Sequence, residues 1–120
     1  MSFQVNKKDG YTLISVVTDK LDSNIAPSLK SELVLINADG AKNIIIDLSA
    51  ARYCDSSGLS AILVANRLCK NSDGTFVLTG LQDAVKKLIA ISQLDTILNI
   101  ASTVEDGAEI VSNKKVVLKK

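Results

Sequence analysis

Phe3 and Val5 alternate with polar partners, Lys7-Lys8-Asp9-Gly10 has turn chemistry, and Tyr11 to Val17 is rich in β-branched residues. This pattern predicts a β-hairpin over residues 3–17. Ile25, Leu29, Leu33 and Ile36 then recur at helical spacing, with Pro27 acceptable only in a first turn. Asp22 or Ser23 is a candidate cap for that helix, and Asp39-Gly40 ends it. Asn43 to Ser49 holds Ile44-Ile45-Ile46 with little alternation, the composition of a strand covered on both faces. From Ser57 to Lys70 the chain is apolar almost all round. Leu59, Ala61, Ile62, Leu63, Val64, Ala65 and Leu68 leave little room for a solvent face, so a largely buried helix is expected. Asn71-Ser72-Asp73-Gly74 stops it.

The second half repeats the alternation. Thr75 to Thr79 reads as a strand, and Gln82 to Gln93 as a helix with Val85, Leu88 and Ile89 inward and Lys86 and Lys87 outward. Thr96 to Ala101 reads as a short strand, and Val104 to Ser112 as a last helix begun at Ser102 or Thr103. Lys114 to Lys120 is either a frayed end or a short edge strand, so residues 113–120 are a possible frayed tail. The order β-β-α-β-α-β-α-β-α places the chain in the α/β or α+β class. It implies one mixed sheet, an N-terminal hairpin and about four helices, with parallel right-handed crossovers after the hairpin. At 120 residues a single domain, 1–120, is expected.

Composition narrows the chemistry. Apolar residues at 47% suffice for one buried core, and 22% charged residues exclude a disordered chain. Fourteen Lys and Arg against thirteen Asp and Glu leave a formal charge of +1, which offers no electrostatic footprint for nucleic acid. The chain has no histidine, hence no imidazole base, no imidazole metal ligand and no Ser-His or Cys-His pair. Options built on Lys, Asp or Glu show no recognisable motif, so no catalytic residues, no metal and no cofactor are expected. Phe3, Tyr11, Tyr53 and Phe76 are too few for a stacking platform. Cys54 and Cys69 follow no metal spacing and lie in apolar surroundings, as buried reduced thiols of a cytoplasmic protein do. No apolar run approaches the ~20 residues of a membrane span, and the lysines at 114, 115, 119 and 120 read as a solvated end.

One polar cluster stands where a buried strand meets an apolar helix: Cys54-Asp55-Ser56-Ser57-Gly58-Leu59. Hydroxyls and a carboxylate sit there at a helix N-terminus, whose free amides and dipole favour negative charge. Simple capping would explain one such residue, yet three candidates stand in a row. Gly58 in the first turn lets another backbone or a ligand come close. A phosphate on Ser56 or Ser57 would be tolerated, at the cost of repulsion from Asp55. Asp47 and Asp55 could be read as an acid–base or metal pair, but Asp47 fits better as a strand-end residue bonded to loop amides. A phospho-aspartate receiver is excluded by the opening hairpin and the lack of a clustered acidic pair.

Asp47-Leu48-Ser49 followed by Asp55-Ser56-Ser57-Gly58-Leu59 resembles the signature of the STAS domain, and more narrowly the bacterial anti-sigma-factor antagonists. Leu21-Asp22 with Ala26 and Leu29 resembles the family's Gly-x-Leu-Asp entry into its first helix, and Val85-Lys86-Lys87-Leu88 with Leu94 its third helix. The resemblance spans about Phe3 to Val111. It implies a partner switch in which Ser56 is phosphorylated by a serine protein kinase that is itself the anti-sigma factor. The unphosphorylated form binds that kinase, and a PP2C-type phosphatase restores it. Asp55 would position the serine and contribute to kinase recognition, while Ser57, Gly58 and Leu59 form the start of the contact helix. Asp22 and Ser23 would lie alongside. The chain departs from the pattern at Asp19, Ile25 and Ser60, where glycine, threonine and glycine are usual, and none of these is the phosphoacceptor. A different reading keeps the fold but makes the chain a structural subunit of a lipid-transport or scaffold complex, with the serine unused.

Overall fold

The computed structural model describes residues 2–118, and the side chains of residues 2–113. β1 (Phe3–Lys7) and β2 (Thr12–Val16) form the expected hairpin, antiparallel with Phe3 opposite Val16 and Lys7 opposite Thr12. Its turn closes with the Lys8 N–H donating to the Tyr11 carbonyl at 2.8 Å and Gly10 at φ +92°, a conformation glycine adopts without strain. A short β3 (Lys20–Leu21) leads to α1 (Ala26–Ala38), β4 (Ile44–Asp47), a short β5 (Tyr53–Cys54) and α2 (Ser56–Asn71). β6 (Phe76–Thr79), α3 (Asp83–Ile91), a 3-10 turn at Leu94–Thr96, β7 (Asn99–Ala101) and α4 (Val104–Leu118) complete the chain.

The main sheet is mixed, with order β1-β2-β4-β6-β7, and every pair after the hairpin is parallel. β4 is covered on both faces, as its unbroken isoleucines predict. Ile44 and Ile46 join the core built with Leu29 and Leu33 of α1, Ala61, Ile62 and Ala65 of α2, and Val85 and Ile89 of α3. Ile45 turns the other way, to Val77, Ala101 and Val111 of α4. Each fully buried Leu or Ile contributes about 1.5–3 kcal/mol relative to exposure. α2 meets the expectation of a largely buried helix, with its mid-helix charge, Arg67, on the exposed side.

Four differences from the sequence expectation concern the strands and the first and last helices. The first is an additional two-stranded parallel ladder, β3 with β5, apart from the main sheet. Second, neither Asp22 nor Ser23 caps α1. The helix begins at Ala26 with Ile25 in the cap position and no side-chain cap bond, because the Asp22 carboxylate is used in a turn, accepting the Asn24 N–H at 3.0 Å. Third, the strand expected from Thr96 shortens to Asn99–Ala101, since Gln93 takes a left-handed φ of 60° and Leu94–Thr96 closes as a 3-10 turn. Fourth, α4 carries helical backbone through Leu118, so no edge strand forms over residues 114–118; residues 119 and 120 of that expectation lie outside the described residues.

Candidate functional site

The β3–β5 ladder determines where the polar cluster stands. Lys20 pairs with Tyr53 and Leu21 with Cys54, and both strands run the same way. Asp22 and Asp55 therefore leave the ladder side by side. The Asp19 carbonyl accepts the Arg52 and Tyr53 N–H groups at 2.8 and 3.2 Å, and the Leu21 carbonyl accepts the Asp55 N–H at 3.3 Å. The Asp19 carboxylate also lies 3.8 Å from the Arg52 guanidinium, both largely exposed, a pair worth little in stability. Asp19 needs no glycine-like φ, so its departure from the usual glycine costs no backbone strain.

Asp55 is the N-cap of α2. Its backbone is extended, and its Oδ1 accepts the Gly58 N–H at 3.0 Å, while its carbonyl accepts the Leu59 N–H at 3.0 Å. Ser56 is therefore the first helical residue, one position earlier than the sequence pattern placed the start, and it is exposed. Ser57 is half-buried in the same turn. The first-turn amides of Ser56 and Ser57 have no intrahelical acceptor, so the end of α2 keeps partial positive charge. Gly58 is buried, and a Cβ there would meet the Leu21 carbonyl oxygen and, at 2.6 Å, the Cys54 Sγ. The close approach expected of this glycine is thus to backbone of its own chain. Leu59 packs against the core, anchoring the turn that carries the two serines.

The remaining predicted residues stand around this turn. Asp22 is half-buried and Ser23 exposed, in the loop that follows β3. Ile25 packs its side chain against the core, and Ser60 is half-buried on α2. Asp47 accepts the Ser49 N–H and hydroxyl, both at 3.1 Å, at the end of β4, in keeping with a strand-end role rather than acid–base work. Cys54 and Cys69 are free and buried. Burial, and then the neighbouring Asp55 carboxylate, push the Cys54 thiol up to about 11. Burial raises Cys69 to about 12, against the opposing effect of a backbone hydrogen bond at Ile44. Neither is a thiolate nucleophile at neutral pH.

Sequence reasoning did not single out Tyr53. This residue is 50% exposed, directly before Cys54 and Asp55 and beside Lys20 in the ladder. A two-residue strand has no periodicity to announce it; an aromatic two positions before the cap was the one available sign. One open cleft lies elsewhere. It measures about 460 Å³, is lined by Lys7, Lys8, Tyr11, Lys42 and Asn43 among others, and sits at the N-terminal ends of β4 and β6. Ser56 follows β4 and β5 along the chain, at the exposed start of α2, and does not line that cleft.

The chain belongs to the STAS domain family, whose model matches residues 2–107. The anti-sigma-B factor antagonist of Bacillus subtilis is 28% identical over 110 residues, covering 91% of this chain and 100% of that protein. The anti-sigma-B factor antagonist of Listeria monocytogenes is 27% identical over 100 residues, 83% of this chain and 88% of that one. Among solved structures, an anti-sigma factor antagonist from Mycobacterium paratuberculosis superposes with a TM-score of 0.81 at 25% identity, covering 92% of each chain. Among the described residues, no helix is long and apolar enough to cross a membrane.

Proposed function

We propose that this chain is a cytoplasmic anti-sigma factor antagonist, a regulatory non-enzyme switched by phosphorylation of Ser56. The observation that supports this most is the placement of Ser56: exposed, first in α2, directly after a carboxylate cap and over a buried glycine. The unphosphorylated surface of Asp22, Ser23, Asp55 and Ser57, with buried Gly58 and core-packed Leu59 holding the turn from beneath, docks on an anti-sigma factor that is also a serine kinase. Asp55 acts by holding the start of α2, and so the Ser56 hydroxyl, in one position. In the kinase the Ser56 Oγ forms a bond to the γ-phosphorus of ATP as the bond to the bridging oxygen breaks. ADP leaves, and the hydroxyl proton passes to a base of the kinase.

Phosphoserine adds a charge of about −1.5 to −2. The free amides and dipole of α2 stabilise it by about 0.3–1 kcal/mol, while Asp55 repels it. The fold therefore persists and the contact is lost, because a charge left unpaired in a desolvated interface costs about 2–5 kcal/mol. A PP2C-type phosphatase hydrolyses the ester, returning Ser56 and inorganic phosphate.

The test is capture from lysate of the native organism on immobilised wild type, Ser56→Ala and Ser56→Asp, with nucleotide added and partners identified by mass spectrometry. An ATP-dependent serine kinase retained by wild type and Ser56→Ala but not by Ser56→Asp is the expected result. Equal retention of the same partner by all three, as a transport or scaffold subunit would give, overturns the switch.

A further inference from the structure

β1 is an edge of the main sheet, and its outer side has no neighbouring strand among the described residues. The Val17 N–H donates to the Ser2 carbonyl at 3.0 Å and the Lys8 N–H to the Tyr11 carbonyl at 2.8 Å. Even-numbered residues of this strand thus turn their backbone groups toward β2, and the antiparallel alternation turns the N–H and C=O of Phe3, Val5 and Lys7 outward. No proline, glycine or bulge blunts this edge, and its charge is confined to Lys7 at one end. Phe3, Val5 and Lys7 pair with Val16, Ile14 and Thr12, so their side chains share the face covered by α1. Val5 is 37% exposed there, and a shallow cleft runs from Phe3 to Asn6 with Glu32 of α1 as its other wall.

We propose that β1 pairs antiparallel with β1 of a second copy of this chain, about a two-fold axis at Val5. That register sets Val5 opposite the partner's Val5, Phe3 opposite the partner's Lys7 and Gln4 opposite the partner's Asn6. Every outward N–H and C=O of Phe3, Val5 and Lys7 then has a mate. Centring the axis on Phe3 or Lys7 leaves part of the strand unpaired, and centring it on Lys7 opposes two lysines. Charge selects the same register. The partner's Lys7, facing Phe3, enters the cleft walled by Glu32, so two symmetric Lys–Glu pairs flank the apolar centre. The strand is short and the contact small, which places it in the weak, reversible size class of interfaces. The pairing is independent of the Ser56 switch, since β1 is not an element of that site.

Sedimentation velocity on the full chain, from micromolar to millimolar, tests this directly. Wild type should show reversible, concentration-dependent association, unchanged in Ser56→Asp. Val5→Lys, which sets like charges directly opposite one another, should weaken association at least tenfold. Lys7→Glu should also weaken it, and adding Glu32→Lys should restore it. As a readout independent of affinity, Val5→Cys should oxidise to a disulfide-linked dimer, whereas Tyr53→Cys should not. A wild type that stays monomeric to millimolar concentration, or association that survives Val5→Lys in folded protein, overturns the proposal.

Discussion

α1 and α2 each follow a two-residue strand that ends on a buried side chain, and in each case an aspartate comes next, Asp22 after Leu21 and Asp55 after Cys54. From there the two starts diverge. Asp55 reaches three residues ahead to the Gly58 N–H, and the helix begins at once. Asp22 reaches two residues ahead to the Asn24 N–H, its carbonyl accepts the Ile25 and Ala26 N–H groups, and the helix waits until Ala26. The residue three positions on accounts for the difference. Gly58 has no side chain, so the first turn of α2 lies directly on the Leu21 backbone. Ile25 carries a side chain that goes into the core, and the chain must turn before a helix can start. Pro27, without an N–H, also offers nothing for a cap at that position to satisfy. The same Asp-Ser opening thus produces one exposed serine at the first helical position and one helix whose start depends on core burial.

Gly58→Ala should break the contrast most severely. The new methyl meets a backbone carbonyl that cannot swing aside, so the cost lies near the upper end of overpacking, about 3 kcal/mol. The matched change near the other start, exposed Ser28→Ala, should stay within about 0.5 kcal/mol. Urea unfolding of the two variants measures the difference, and equal losses would erase it. Next in size is the pair of aspartates: Asp55→Ala should lose about 1 kcal/mol as a true cap, and Asp22→Ala about 0.3 kcal/mol as a turn residue within the range of ordinary surface changes. If the order reverses in thermal unfolding, the cap assignment is wrong.

The smallest effect concerns pH. The Cys54 thiol is raised from 9.0 to about 11 in the folded chain, so folding favours its protonated form. Stability from this group is complete below pH 9 and declines as pH rises toward 11, because the unfolded chain releases the proton first. Tm measured between pH 8 and 10.5 should fall less steeply in Cys54→Ala than in wild type. An identical slope would mean that the thiol beneath α2 is not shielded. The same shielding predicts slow alkylation of Cys54 at neutral pH until the protein is denatured.

The regular elements were legible wherever a period or an unbroken apolar run extended over several residues. Alternation around Gly10 marked the hairpin, Ile44-Ile45-Ile46 marked a strand buried on both faces, and the apolar stretch from Ser57 marked the most buried helix. The Asp55-Ser56-Ser57-Gly58 cluster was legible as a helix start because its residue types are chosen by local backbone chemistry. By contrast, β3 and β5 are two residues each, too short for any period. Only their pairing across more than thirty positions of chain, Leu21 with Cys54, makes them strands. The same pairing places Asp22 beside Asp55 and exposes Tyr53 next to the serines, and no local rule contains that information. By itself, the sequence determined which segments bury their side chains and which residues can start a helix, because these follow from solvent partition and local hydrogen bonding. Only the tertiary structure decided which aspartate caps, what Gly58 makes room for and which edge stays open, because each depends on a neighbour distant in the chain.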